Sequence, residues 1–378
     1  MIHVIVGTRA QIIKMAPVIK ELENRGINYN FIFLAQHKET VYEIMAQFGI
    51  KNPNIVIGDM NKDITNVNDM VIWSFRVLIY ALFKRKKIFH NDQKGVVLLH
   101  GDAPPLFLGG LMAKFQGLKV AQIEAGLRSF NYFKPFPEEL TRVLSAKAGL
   151  IDIFFCQDEK AIDNVSRYNR TSYCTRHNTM LDSLRLAEKL YSRNGHLEEP
   201  KNFAIVSLHR FETISKKEKL EQVVKEILKV SKKIKLLFIL HPPTRVALKN
   251  SGLYDTLERE PNCSLLPRQG FFEFNNLLRN AEFIFTDGGS NQEESFYLGT
   301  PCLLFRSETE RMEGLGANVV ISNFDSTIIE NFVLNYKSYR RKPVSDNYSP
   351  SRFIVDQLEE LLEFRHLQHQ QIFERQEP

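Results

Sequence analysis

Three carboxylates stand where an open parallel sheet would present them to a ligand. Apolar runs at residues 96–99 and 120–123 read as strands. The first leads into His100-Gly101-Asp102 and the second into Glu124-Ala125-Gly126-Leu127-Arg128, with Pro135-Phe136-Pro137-Glu138-Glu139 soon after. Ligands bind beyond the carboxyl ends of parallel strands, so Asp102, Glu124 and Glu138 are expected on one rim. Clustered carboxylates push one another's pKa values apart, which prepares a general acid and a general base. The same groups would serve equally well as ion-pair partners of Arg9, Arg128 or Arg142, and the sequence leaves both readings open.

Other strand ends carry groups suited to an anion. Residues 2–6 lead into Gly7-Thr8-Arg9-Ala10-Gln11 and then Lys14, a glycine turn at a helix start with two cations nearby. Residues 203–207 lead into Leu208-His209-Arg210, and residues 236–240 into His241-Pro242-Pro243. Residues 282–286 lead into Asp287-Gly288-Gly289-Ser290-Asn291-Gln292-Glu293-Glu294, whose small residues would leave backbone N–H groups to cradle phosphate. Glu293 and Glu294 are too acidic to face phosphate, but one of them can accept hydrogen bonds from ribose hydroxyls. His209 reads either as a satisfied core histidine or as a site residue, and its strand-end place beside an arginine favours the site.

The elements that must position these groups alternate from end to end. Further strands are expected at residues 29–34, 153–156, 264–266 and 301–305, with helical periodicity between them. That alternation predicts an α/β fold of two Rossmann-like domains with parallel sheets. The boundaries fall at residues 1–172 and 173–346, with 347–378 a terminal helix returning to the first domain. Ser215-x-x-Glu218 reads as a capping box ahead of the apolar face Leu220, Val223, Val224, Ile227 and Leu228. Gly26 stands where a helix ending near Asn24 needs a left-handed cap.

Bulk composition agrees with this division. A chain of 378 residues exceeds what one compact core usually covers. Hydrophobic residues at 43% and charged residues at 25% exclude a disordered chain. The net charge of +6 is spread along the sequence, and a phosphate-bearing small molecule explains it as well as nucleic acid does. Cys156, Cys174, Cys263 and Cys302 lack metal-like spacing and read as reduced thiols. The apolar stretch at residues 71–83 is interrupted by Arg76 and is too short to span a bilayer. It ends in Lys84-Arg85-Lys86-Lys87, and an amphipathic helix with a solvated basic end is expected there, not membrane insertion. The opening MIHVIVG reads as a strand, unlike a signal peptide, so the cytoplasm is the expected compartment.

Taken in order, the motifs resemble those of the non-hydrolysing UDP-N-acetylglucosamine 2-epimerases. They are GTRAQIIKMAPVI near the start, AQH at residues 35–37, HGD at 100–102, IEAGLRS at 123–129 and PFPEE at 135–139. HR at residues 209–210, DGGSNQEE at 287–294 and TERMEG at 309–314 complete the set. The resemblance implies a GT-B-like fold with the active site in the interdomain cleft, a homodimer, no nicotinamide cofactor and no metal. By the same resemblance, Asp102, Glu124, Glu138 and His209 match positions needed for chemistry. Gln269 and Phe274 match uracil contacts, Glu294 matches the ribose carboxylate, and Arg311 with Gly289 and Ser290 matches the diphosphate site. Arg9 and Lys14 match basic residues that reach the substrate across the cleft.

The implied reaction is reversible C2 epimerisation of a UDP-N-acetylhexosamine. The C2 proton is not acidic, so the family expels UDP from C1 as a base takes that proton, leaving a glycal to which UDP adds back. A carboxylate base, a carboxylic acid and a charged diphosphate site are what this requires. Two other functions fit the same motifs: a hydrolysing epimerase that releases free sugar and UDP, and a glycosyltransferase or UDP-sugar binding protein. The chain departs from the family pattern in several places. Ala103-Pro104-Pro105 replaces a threonine-rich run, Ala10-Gln11 a proline-glutamate pair, Gly288-Gly289-Ser290 a Ser-Gly-Gly loop and Phe211 an arginine. Glu39 stands where a glutamine of the family's allosteric site, near Gln36, Arg210 and His241, is usual.

Overall fold

A computed structural model describes residues 1–36, 39–59, 64, 67–132, 137–191 and 202–374. His37, Pro135 and Phe136 of the AQH and PFPEE motifs lie outside them, as does the side chain of Glu39. The chain divides into two compact units, Met1–Leu186 with Tyr348–Pro378, and Ala187–Asn347.

The first unit runs β1 (Ile2–Val6), α1 (Arg9–Asn24), β2 (Tyr29–Leu34), α2 (Glu39–Phe48), β3 (Ile55–Ile57), α3 (Val67–Ile88), β4 (Val96–His100) and α4 (Pro104–Gln116). It continues with β5 (Lys119–Ala125), α5 (Glu138–Lys147), β6 (Ile153–Cys156), α6 (Glu159–Ser166), β7 (Thr171–Cys174) and the start of α7 (Met180–Tyr191). The seven strands form one sheet in the order β3-β2-β1-β4-β5-β6-β7, with every pair parallel. β1 and β4 are buried throughout, because helices cover both faces of a doubly wound sheet. Their continuous apolar runs made them visible in the sequence. β3 and β7 were not expected: both are edge strands, only partly buried, and carry no such run.

The second unit runs β8 (Phe203–Leu208), α8 (Phe211–Ile214), α9 (Lys217–Ser231), β9 (Lys235–Leu240), α10 (Pro242–Asn250), α11 (Tyr254–Glu258) and β10 (Cys263–Pro267). Next come α12 (Phe271–Asn280), β11 (Ile284–Thr286), α13 (Gly289–Leu298), β12 (Cys302–Leu304), β13 (Val319–Ile321) and α14 (Ser326–Tyr339). Its sheet has six parallel strands in the order β10-β9-β8-β11-β12-β13. β13, again an edge strand, was missed for the same reason.

The chain then returns to the first unit as α15 (Pro350–Glu374). Arg25, following α1, grips it through Asp356 at 2.7 Å and Glu359 at 2.6 Å. Asp182 of α7 accepts from Ser349 Oγ and Ser351 N, both at 2.8 Å, which fixes the start of α15. The first unit extends beyond residue 172, where the sequence put the boundary. β7 completes its sheet, and Ser183 of α7 donates to the Ile13 carbonyl at 2.8 Å.

Local signals fared unevenly. Gly26 adopts φ of 68° just after α1, as its place required. The capping box at Ser215 is not formed: Ser215 is the right-handed C-cap of α8, and Lys216 precedes α9 without a side-chain cap. A short helix that the sequence did not announce takes up the residues meant for the cap.

Candidate functional site

In each sheet the strand order reverses at one place, between β1 and β4 and between β8 and β11. Helices leave to opposite faces there, opening a crevice at the strand carboxyl ends. Most residues singled out from the sequence follow strands at or next to these two points, whereas Gln269 and Phe274 follow the edge strand β10.

At the first switch point, Thr8 caps α1 in a reciprocal box with Gln11, whose Oε1 accepts from Gly7 N at 2.8 Å and Thr8 N at 3.2 Å. Arg9 opens the helix, half-buried. Lys14 does not reach outward as a phosphate ligand. It is buried and ion-paired with Glu124, because burial of an ammonium demands a partner. Glu124 lies inside β5 and not after it, at a bulge where the register with β6 slips between Ile123 and Ala125. Its φ of 58° is left-handed, a conformation that costs a non-glycine residue about 1–2 kcal/mol. The bulge turns this side chain onto Lys14, Asn178 and His100, whose Nε2 is 3.7 Å from the carboxylate.

Asp102 makes a two-pronged ion pair with Arg142, with Nε at 3.0 Å. Its side chain stays 21% exposed, so one edge of the carboxylate can meet a substrate. Arg142 also reaches Glu139 at 3.1 Å, and Glu139 accepts from Arg128 Nε at 2.6 Å and Ser129 N at 3.0 Å. Burial alone would raise the pKa of Glu139, yet the Ser129 N–H and the two arginines hold it below the ordinary range. Of the adjacent glutamates, Glu139 is therefore the structural anchor, and Glu138 stands half-buried at the first position of α5. The ion-pair alternative left open by the sequence is realised for Asp102 with Arg142, and for Glu124 with a lysine.

At the second switch point, Asp287 is fully buried and accepts from the backbone N–H groups of His209 at 2.9 Å and Arg210 at 3.1 Å. It thereby ties the end of β8 to the end of β11. The His209 ring lies against His241, with centroids 4.7 Å apart, and its side chain is 38% exposed. Crowding by protein atoms lowers its pKa, helped by Arg210 and Arg268 and opposed by Asp287. The glycines of the loop have steric reasons. A Cβ on Gly288 would come 2.7 Å from His209 Cε1, and one on Gly289 2.8 Å from Arg311 Nε. The permuted order Gly288-Gly289-Ser290 thus suits these neighbours. Gly288 caps α13 without a side chain, which leaves first-turn N–H groups near Gly289 and Ser290 able to donate to an anion.

Arginines gather beside this helix start. Arg311 pairs with buried Glu293, and Glu310 lies 3.0 Å from Arg306 and 3.6 Å from Arg210. Burial would raise the pKa of Glu310, but Arg306, Arg311 and Arg210 bring it down to about 2. Gln292 fixes the Arg311 segment by donating to the carbonyls of Arg311 at 3.1 Å and Glu313 at 2.9 Å. Glu294 is buried and accepts from Asn291 at 2.9 Å. Gln269 donates to the Pro267 carbonyl at 2.7 Å. Phe274, expected as a base-stacking face, is only 8% exposed, so little of its ring is open. Sequence reasoning passed over Glu139, Asn178, Arg306 and Glu310. Glu139 and Glu310 stood inside the PFPEE and TERMEG motifs and Arg306 just after β12, while Asn178 carried no local signal.

Two doubly wound parallel sheets with polar groups at both switch points define a two-domain, Rossmann-like α/β protein of GT-B-like fold. A family profile described as UDP-N-acetylglucosamine 2-epimerase matches residues 20–349. A UDP-N-acetylglucosamine 2-epimerase of Methanocaldococcus jannaschii is 30% identical over 373 residues, covering 93% of this chain and 97% of that one. The crystal structure of the M. jannaschii UDP-GlcNAc 2-epimerase in complex with UDP-GlcNAc and UDP is similar at a TM-score of 0.76 and 27% identity, covering 93% of this chain and 98% of that one. The Neisseria meningitidis enzyme bound to UDP-GlcNAc is similar at a TM-score of 0.80 and 26% identity, covering 95% and 99%. The chain belongs to the UDP-N-acetylglucosamine 2-epimerase family and is an epimerase.

Proposed function

We propose that this protein interconverts UDP-N-acetylglucosamine and its C2 epimer by elimination and re-addition of UDP. In the forward half, the C1–O bond to UDP breaks as a carboxylate takes the C2 proton, and the electron pair forms the C1=C2 bond of a glycal. In the return half, UDP re-forms the C1–O bond while a proton is delivered to the other face of C2. Asp102, Glu124 and Glu138 are assigned to these proton transfers, with His209 and Arg9 beside the reacting groups. Lys14 keeps the buried charge of Glu124 compensated. Arg311, Gly289 and Ser290 are assigned to the diphosphate, Glu294 to the ribose, and Gln269 with the edge of Phe274 to the base.

One observation supports the reading above the others: Asp102 keeps a partly exposed side chain whose Arg142 contacts both fall on Oδ2, at one switch point, while Arg311 and Arg210 lie beside Gly289 at an uncapped helix start at the other. Arginine and helix N–H groups stabilise charge that develops on a departing diphosphate. Incubation with UDP-N-acetylglucosamine in deuterated water, followed by proton NMR, tests the proposal. Deuterium at C2 of both epimers is expected, with turnover nearly abolished in Asp102→Asn. Release of free N-acetylmannosamine would assign the hydrolysing reaction, and binding without turnover would overturn the mechanism.

A homodimer in the cytoplasm completes the proposal, on the strength of the family resemblance. Among the described residues no helix is long and apolar enough to cross a membrane. α3 nevertheless turns Val71, Ile72, Phe75, Ile79, Leu82 and Phe83 to solvent, with Phe83 at 82% exposure. An apolar face of that extent marks an interaction surface, and we assign it to a second copy of the chain.

A further inference from the structure

The turn that carries Asp102 is gripped by two buried side-chain amides. β4 ends at His100, and Gly101 swings the backbone away with φ of 69°. The His100 carbonyl accepts from Gln11 Nε2 at 2.8 Å, and the Gly101 carbonyl accepts from Gln122 Nε2 at 2.8 Å. Gly101 N in turn donates to the Ile123 carbonyl at 2.9 Å. Gln11 lies in the first turn of α1 and Gln122 in β5, and both are buried.

Gln11 performs two tasks that an ionised carboxylate cannot combine. Its oxygen takes the N–H groups of Gly7 and Thr8, and its nitrogen faces a carbonyl. The glutamate expected here from the family pattern can accept as the oxygen does, but a carboxylate has no proton to donate. It would instead set negative charge against the His100 carbonyl.

We propose that Gln11 and Gln122 are positioning residues for Asp102, and that their amide clamp fixes the angle at which its carboxylate meets the sugar. The proposal rests on the assignment of Asp102 to proton transfer. Arg142 holds one side of that carboxylate, and the clamp sets the backbone from which it projects. Neither glutamine touches substrate; each acts through the His100-Gly101 backbone.

Gln11→Glu tests the clamp, because it keeps the acceptor of the helix cap and replaces the donor to the His100 carbonyl with negative charge. The turnover rate should fall roughly tenfold near pH 8, the effect of about one lost buried hydrogen bond, while KM stays within about twofold. In Gln122→Glu, whose carboxyl would be buried against the Gly101 carbonyl, the ratio of variant to wild-type rate should rise as the pH drops, because the protonated carboxyl's O–H can donate to that carbonyl. Gln11→Glu should stay slow, because the Gly7 and Thr8 N–H groups hold its carboxylate ionised. Gln122→Met, which has no proton to gain, should stay slow at every pH. A merely structural role would lower thermal stability without this pH-dependent ratio. Wild-type rates for Gln11→Glu and Gln122→Glu at every pH, alongside an inactive Asp102→Asn, would overturn the clamp alone. A wild-type rate in Asp102→Asn would overturn the assignment of Asp102 and the clamp with it.

Discussion

Lys14, in the second turn of α1, is buried against Glu124 at the bulge of β5, and the two form an ion pair inside the first unit. The lysine was expected to reach a phosphate. Its position instead makes it the counter-charge for a candidate catalytic carboxylate. Removing one member of a buried pair leaves the other uncompensated. Lys14→Met should therefore destabilise the protein by about 3–5 kcal/mol, moderated by Asn178. Lys14→Met combined with Glu124→Leu should recover most of that loss without restoring turnover. Urea unfolding of the single and double variants measures this. A single variant as stable as wild type would show that the pair contributes nothing.

Arg311 offers a test of the diphosphate assignment that leaves folding intact. Arg311→Lys keeps a positive charge against Glu293 but loses the planar fork. UDP binding should weaken by roughly tenfold, about 1.4 kcal/mol, as one fork contact to phosphate is lost. Titration calorimetry reads this directly. Unchanged affinity in a folded variant would move the phosphate site elsewhere.

Glu310 ties stability to pH in a defined direction. Its carboxyl is brought from 4.5 in the unfolded chain to about 2 by Arg306, Arg311 and Arg210. A depressed pKa stabilises the fold fully above the unfolded value and loses that contribution as pH falls through the folded one. The window therefore runs from pH 4.5 down to about 2, and the contribution is on the order of 3 kcal/mol. Glu139 is depressed as well and acts in the same direction. In Glu310→Gln the slope of stability against pH across this window should flatten. Calorimetric midpoints at several pH values check it, and an unaltered slope would refute the assignment.

The apolar face of α3 predicts the oligomeric state. A charge at Phe75 or Phe83, both widely exposed in the single chain, would have to be desolvated in a dimer. Phe75→Glu with Phe83→Glu should convert a dimer to a monomer at micromolar concentration without loss of helix content. Sedimentation equilibrium decides between them. A wild-type protein that sediments as a monomer would sink the proposal.

The sequence by itself determined the parallel α/β architecture and the strand ends from which chemistry is offered. Interior strands such as β1, β4 and β8 are buried on both faces, so they read as continuous apolar runs, and the polar residues that interrupt them mark the rim. Gly288 and Gly289 were legible as the start of α13 because glycine at a helix start is a local signal. The edge strands β3, β7 and β13 escaped notice, since half-exposed segments carry no such run. Ser215 misled for a related reason: a capping motif is local, and the neighbouring helix overrode it.

Only the tertiary structure decided which charge meets which. Lys14 and Glu124 are 110 positions apart, and His209 meets Asp287 across 78. No spacing rule distinguishes Glu138 from Glu139, yet Arg128 and Arg142 select Glu139 as the anchor and leave Glu138 at the helix start. The left-handed backbone at Glu124 is likewise invisible in its residue type. It arises from a register slip against β6 that aims the carboxylate inward, where burial makes a partner obligatory. Side-chain identity fixes what a group can do; the low dielectric around it and the partners folding brings there fix what it does.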